Sequence, residues 1–425
     1  MPAPVAPEPG PGRLARRLGT GDAVVLGLGS MLGAGVFAAV GPAAGAAGAW
    51  LPAALLLAGL VAYCNATSSA ELAARYPESG GTYAYGRRLL SPFWGFLAGW
   101  AFVAGKLASC AAMALTVGSY AAPGAARPVA LAAVAAVTAL NYRGVAKTAL
   151  ATRIVVALVL AALAAAVAGM LLGGQASAAN LGRGAGGTGG PFGLLQAAGL
   201  LFFAFAGYAR VATLGEEVVD PARTIPRAIP LALGIVLATY AAVCVAALLA
   251  VGPAALAASR APLATAVAAG RLDGLVPVVR AGAAVASLGV LLSLEAGVSR
   301  TAFAMAANRD LPGGLAAVHP RFRVPHRAEL AAALLVAAAV AVADLRRAIG
   351  FSATLVLVYY AVANASAWTL GRAGRRWPRW LAAAGLAGCL ALAASLPAAD
   401  LLAGLAVLAA GALGYGAASY ARHSP

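Results

Sequence analysis

Apolar residues along this chain run in long blocks with few or no charges, divided by short stretches where arginine, proline and glycine collect. A helix needs roughly 20 apolar residues to cross a hydrocarbon core, so each such block is a candidate crossing. Twelve are marked, at about 22–45, 49–72, 93–120, 128–141, 150–173, 192–213, 229–252, 275–303, 328–343, 350–370, 379–396 and 400–420. The fourth and ninth are short and require tilt or borrowed neighbours. The pattern predicts an all-α integral membrane protein.

Composition agrees: of 425 residues, 62% are hydrophobic and 10% charged, far from a water-soluble domain. The net charge of +17 at first suggests a nucleic-acid partner, but the cations alternate between loops. Placing the N-terminus inside puts 21 of the 30 basic residues in cytoplasmic loops and seven in the opposite ones, with Lys106 and Arg210 in or beside apolar blocks. That bias predicts both termini in the cytoplasm, an even helix count, a place in the cell membrane and no nucleic-acid partner. Cys64, Cys110, Cys244 and Cys389 each sit in an apolar block without a paired spacing, and read as small buried hydrophobes. His319, His326 and His423 fall in loops or the tail, so no metal and no cofactor is expected.

Residues 1–20, Pro-rich and basic without an apolar core, read as a cytoplasmic tail and not as a cleaved signal. The glycine-rich stretch 182–191 lacks the preceding strand and following Lys-Ser or Lys-Thr of a phosphate loop, and reads as an external linker between two blocks of five helices. Both blocks open on a glycine-interrupted helix. The first carries Gly27, Gly29, Gly33 and Gly35; the sixth carries Phe202 to Tyr208 around Gly207. Interrupted helices at matching places in two halves point to an inverted-repeat transporter with a midplane site. The other reading of Gly29-xxx-Gly33 is close helix packing. An interrupted helix exposes N–H and C=O groups that lipid cannot pair, which persist only where they line a cavity. A helix N-terminus there favours a carboxylate, and free carbonyls an ammonium.

Several motifs make this chain similar to amino acid permeases of the amino acid, polyamine and organocation superfamily. They are Gly33-Ala34-Gly35-Val36-Phe37; Glu71 to Pro77 with Ser79 to Tyr85; Phe203 to Tyr208 with Glu216 to Ile229; and Ser299 to Thr301 with Asn308 to Pro312, His319-Pro320 and Pro325. The resemblance implies a 5+5 inverted-repeat, LeuT-like core with helices 1 and 6 unwound. Residues 21–175 would form the first repeat, 176–191 the linker, 192–372 the second repeat, and 373–425 two further helices with a short tail. It implies a secondary transporter for an amino acid or related amine, working by alternating access through proton-linked symport or exchange. Its carboxylate contacts carry over to the amides at Gly33, Ala34 and Gly35. Its ammonium contacts carry over to Met31, Phe203, Ala204 and Phe205, with Gly207 in the break and Phe203 or Tyr208 as an occluding ring. Two departures stand out. Ala209 and Arg210 follow the helix 6 aromatic where many relatives have an acid, and helix 5 has no lysine.

Lys106, midway along helix 3, is costly in a bilayer and is the first coupling candidate, against a snorkelling or structurally paired lysine. Glu295 is the second, either a proton site or an acid paired with Arg300. Glu71, Glu216 and Glu217 read either as an inner salt-bridge gate or as solvated helix ends. Sodium is the less favoured coupling ion, through helix 1 carbonyls with Ser287 or Ser293. The rival readings are a membrane enzyme acting on a lipid-like substrate and a non-transporting sensor. The 13 scattered acids speak against the first, and the lack of an extra soluble domain against the second.

Overall fold

The structure is a computed structural model that describes residues 18–76, 80–144, 149–182, 190–208, 211, 218–371 and 375–423. The helices are α1 (Thr20–Met31), α2 (Val40–Ala47), α3 (Leu51–Arg75), α4 (Thr82–Leu89), α5 (Pro92–Ala121), α6 (Ala126–Tyr142), α7 (Ala149–Leu172) and α8 (Gly190–Phe205). They continue with α9 (Pro221–Ala258), α10 (Pro262–Ala268), α11 (Val276–Ala307), α12 (His326–Val342), α13 (Leu345–Thr369), α14 (Arg379–Ser395) and α15 (Ala398–His423). The all-α expectation is met. The tail before residue 18 and most of the glycine-rich linker lie outside the described residues.

Among the described residues nine segments are long and apolar enough to cross a membrane, and the first, 20–75, holds α1 to α3 in succession. The short block expected at 128–141 gains length from the turn that precedes it and becomes a span over 123–142. The block at 328–343 is α12, 17 residues long, which begins with charged residues in its first turn. α14 is a shorter apolar helix over Arg379–Ser395.

Local chemistry explains the ends. Ser91 accepts the amide of Trp94 and Pro92 occupies the first helical position, so α5 starts sharply. Asp344 accepts the amide of Arg347 at 2.8 Å and starts α13. Gly252 sits at φ 77° with non-helical ψ, so α9 kinks there and a second short helical stretch begins at Pro253. The polar helix α4 follows α3, with Tyr83 and Tyr85 buried, Arg87 half-buried and Arg88 exposed.

α5 packs extensively on α11, and α3 on α9. Around them α1 lies along α9 while α8 lies along α3; α5 lies along α13 while α11 lies along α7; α5 meets α12 while α11 meets α6. α15 stands at the periphery against α5 and α13, and is mostly exposed. Outward-facing Leu334, Val342 and Leu413 are more than 70% exposed and form part of an apolar rim that only lipid would cover.

Candidate functional site

The backbone leaves the α-helical ladder at two places that touch. α1 ends at Met31; Leu32 still donates to the Leu28 carbonyl at 2.8 Å, and Gly33 turns back onto the Met31 carbonyl at 2.9 Å. A wide turn, Gly35–Ala39, then leads into α2. α8 ends at Phe205 and passes into a tight turn, Ala206–Tyr208. A Cβ added at Gly35 would stand 2.5 Å from both Cα and Cβ of Ala204, and one at Gly207 would collide with the Ser30 carbonyl. Both glycines are therefore required by backbone approach; Gly29 and Gly33 are also closely approached, by Thr152 and Val290.

The carbonyls of the breaks have partners. The Tyr240 hydroxyl, from α9, donates to the Met31 carbonyl at 2.6 Å and lies 3.2 Å from the Ala204 carbonyl, so one side chain ties the two breaks. Tyr360 of α13 donates to the Ala206 carbonyl at 3.0 Å, and the Lys106 ammonium reaches the same oxygen at 3.4 Å. Further along the first break, Tyr120 donates to the Phe37 carbonyl at 2.6 Å. A carbonyl has two lone pairs, so the Met31 oxygen, met by the Gly33 amide and Tyr240, and the Ala206 oxygen, met by Tyr360 and Lys106, are fully engaged and hold the geometry of the breaks. On the donor side, the Ala34 amide points at the Met113 sulfur, 3.2 Å away. Thioether sulfur is a weak acceptor, which leaves that N–H open to a better one.

Met31, Gly33, Ala34, Gly35, Phe203, Ala204 and Phe205 are all buried at this junction, and Gly207 is half-buried beside it. The Tyr208 ring stacks on Tyr360 with centroids 5.0 Å apart, and Phe205 tilts against Tyr240 at 5.3 Å. Lys106 is 6% exposed, reaching inward and not snorkelling. Ser287 is fully buried on α11 with its hydroxyl unpartnered among the described residues.

The acids divide. Glu295 does not pair with Arg300; it is buried against Thr138 of α6, Oε1 to Oγ1 2.5 Å. Glu71 pairs with Arg75 at 3.3 Å and accepts the Arg376 amide at 3.2 Å, tying α3 to the segment before α14. Desolvation there pulls the Arg375 guanidinium below its usual value. Glu216, Glu217, Ala209 and Arg210 lie outside the described residues. A further network joins α4 to the end of α11: the Asp310 carboxylate accepts from the Tyr83 hydroxyl at 2.7 Å and from Arg87 at 2.6 Å. Burial, reinforced by that carboxylate, pushes the Tyr83 phenol up to about 12. The first turn of α1 is anchored by the ion pair between Arg153 and Asp22, and by Leu18, whose carbonyl accepts the Val219 amide at 2.9 Å.

Sequence reasoning missed Tyr120, Tyr240, Tyr360 and Met113. The available signal was a tyrosine inside an apolar block, whose hydroxyl must find a partner once buried.

Two interrupted helices touching inside a bundle of apolar helices are a feature found in membrane transporters. The family model "Amino acid permease" matches residues 22–373, and the chain belongs to that family. It is 59% identical to an uncharacterized transporter of Mycobacterium tuberculosis, over 98% of this chain and 94% of the relative. It is 27% identical to a branched-chain amino acid permease of Bacillus subtilis, over 76% of this chain and 74% of that protein. A methylthioribose transporter of Bacillus subtilis is 30% identical, over 74% of this chain and 72% of its own.

Proposed function

We propose that this permease is a secondary carrier for an amino acid or a related amine, working by alternating access in the cell membrane with both termini in the cytoplasm. The observation that carries the reading is the contact between the breaks at Leu32–Gly35 and Ala206–Tyr208. The Ala34 amide, held only by sulfur, suits a substrate carboxylate, and the Met31 and Ala204 carbonyls suit its ammonium in place of the Tyr240 hydroxyl they now meet. Tyr208 on Tyr360 forms the lid over that space.

The helix pairings support an inverted repeat of five plus five, with twelve crossings in all. Exchanging the helices of the first block with those of the second converts α1 on α9 into α8 on α3, α5 on α13 into α11 on α7, and α5 on α12 into α11 on α6. Under the same exchange Lys106, beside Ala206, takes the place that Val290 holds beside Gly33. Lys106 is thus a buried cation built into one break and absent from the other. It serves as a coupling group, making up for the lysine that helix 5 lacks.

Sealed vesicles containing only this protein test both parts. Radiolabelled L-leucine, chosen because a branched-chain permease is among the relatives, and L-arginine are offered with and without a pH gradient. Substrate-dependent flux is expected, with Lys106→Ala and Lys106→Arg losing the response to the gradient. No flux of any amino acid or amine in a wider panel defeats the carrier reading; wild-type behaviour of both variants defeats the role of Lys106.

A further inference from the structure

A buried pair of carboxyl groups lies where α6, α11 and α12 meet, away from the broken helices. Glu295 of α11 is 1% exposed and Glu329 of α12 is 2% exposed. Among the described residues neither enters an ion pair, and Glu295 Oε2 and Glu329 Oε1 have no hydrogen-bond partner. Two buried carboxylates without a cation are prohibitively costly side by side in a bilayer, so the site must take up positive charge.

The hydroxyl of Thr138 is placed to accommodate a proton as that charge. Its Oγ1 lies 2.8 Å from the Val134 carbonyl and 2.5 Å from Glu295 Oε1. A hydroxyl has one hydrogen, and a carbonyl can only accept. The hydroxyl can donate to only one of these two oxygens at a time, and whenever Val134 takes its hydrogen, the short Thr138–Glu295 contact calls for a proton on the carboxyl. The short O···O separation also suits an acid donor. Glu329, by contrast, stands in the first turn of α12, where the helix N-terminus favours its anion, with the Ser299 and Asn141 side chains beside it.

We propose that Glu295 and Glu329 hold one exchangeable proton between them, resting on Glu295, as a proton-binding site separate from the substrate junction. The surrounding charges fit one proton. On α5 the buried Cys110 feels both carboxyls and also Lys106, one helical turn away on the same face. On α11 Arg300 is exposed and felt by Glu329 only at a distance. On α12 the half-buried His326 packs on Tyr142 and Arg327 is exposed, as is Arg143 at the end of α6. From α7, Arg153 is taken by Asp22. That this proton drives transport rests on the carrier reading above.

pH-dependent infrared difference spectroscopy on the whole protein in lipid reads the site without any substrate. The wild type should show the C=O stretch of a protonated, buried carboxyl at neutral pH. The band should vanish in Glu295→Gln, shift in Thr138→Val, which keeps the side-chain shape, and change its titration in Glu329→Gln. Absence of the band in wild type, or its persistence unaltered in Glu295→Gln and Thr138→Val, overturns the proposal. In vesicles, Glu295→Gln should keep L-leucine counterflow and lose accumulation driven by a pH gradient; wild-type accumulation in that variant removes the link to transport. If wild-type vesicles move no probe, the carrier reading fails while the infrared band still decides the proton site.

Discussion

Replacing Tyr240 by phenylalanine removes one oxygen from the middle of the protein and tests whether the two breaks are held in register by that hydroxyl. The oxygen lies 2.6 Å from the Met31 carbonyl and 3.2 Å from the Ala204 carbonyl. Side-chain hydrogen bonds within membrane proteins average about 0.6 kcal/mol and reach about 1.7 kcal/mol. The Met31 carbonyl keeps the Gly33 amide at 2.9 Å, so it is not orphaned, whereas the Ala204 carbonyl loses this donor. The expected loss is therefore about 1–2 kcal/mol, the cost of one good bond and part of a weaker one. Since about 1.4 kcal/mol corresponds to a tenfold change in an equilibrium constant, ligand affinity should fall by about that factor if the registered breaks form the site. Thermal unfolding of purified Tyr240→Phe, with and without the amino acid that stabilises the wild type, is the assay, with Tyr63→Phe on the exposed face of α3 as control. A lower melting temperature and a reduced ligand-induced rise are expected. Melting and ligand response identical to wild type would show that the tyrosine does not couple the breaks.

The remaining expectations concern close contact and pH. Gly35→Ala places a methyl group 2.5 Å from the Cα of Ala204, where no side-chain rotation relieves it, so the variant should lose about 1–3 kcal/mol and transport together. Unchanged flux and melting in this variant would mean that the breaks do not touch in the working protein. Tyr83 ionises near 12 in the folded protein against 10.0 for an ordinary phenol, so the folded state holds the proton more tightly than the unfolded chain. Its contribution is complete below pH 10 and is lost as pH rises toward 12. Melting temperatures measured across that window should fall less steeply in Tyr83→Phe than in wild type, and equal slopes would refute the link.

How much of this was legible beforehand follows from the range over which each feature is determined. The apolar blocks became helices because bilayer thickness sets the length of a crossing and lipid leaves the backbone no partner but itself, both local constraints. The glycine interruptions at Gly33–Gly35 and Gly207 were legible for the same reason: a missing side chain is a property of the residue. What the chain alone left open was where polar groups meet. Glu295, left between a proton site and a partner for Arg300, lies against Thr138 and feels Glu329, both on other helices. Glu71, read as part of an inner salt-bridge gate or as a solvated helix end, pairs with Arg75 and accepts the Arg376 amide, partners the chain alone did not name. Tyr240, invisible as a site residue in its apolar block, became the bridge between the breaks. Lipid is as apolar as the helix faces, so hydrophobicity does not choose helix partners; close approach at small residues and hydrogen bonds across helices do. Those contacts exist only once the helices are arranged in space.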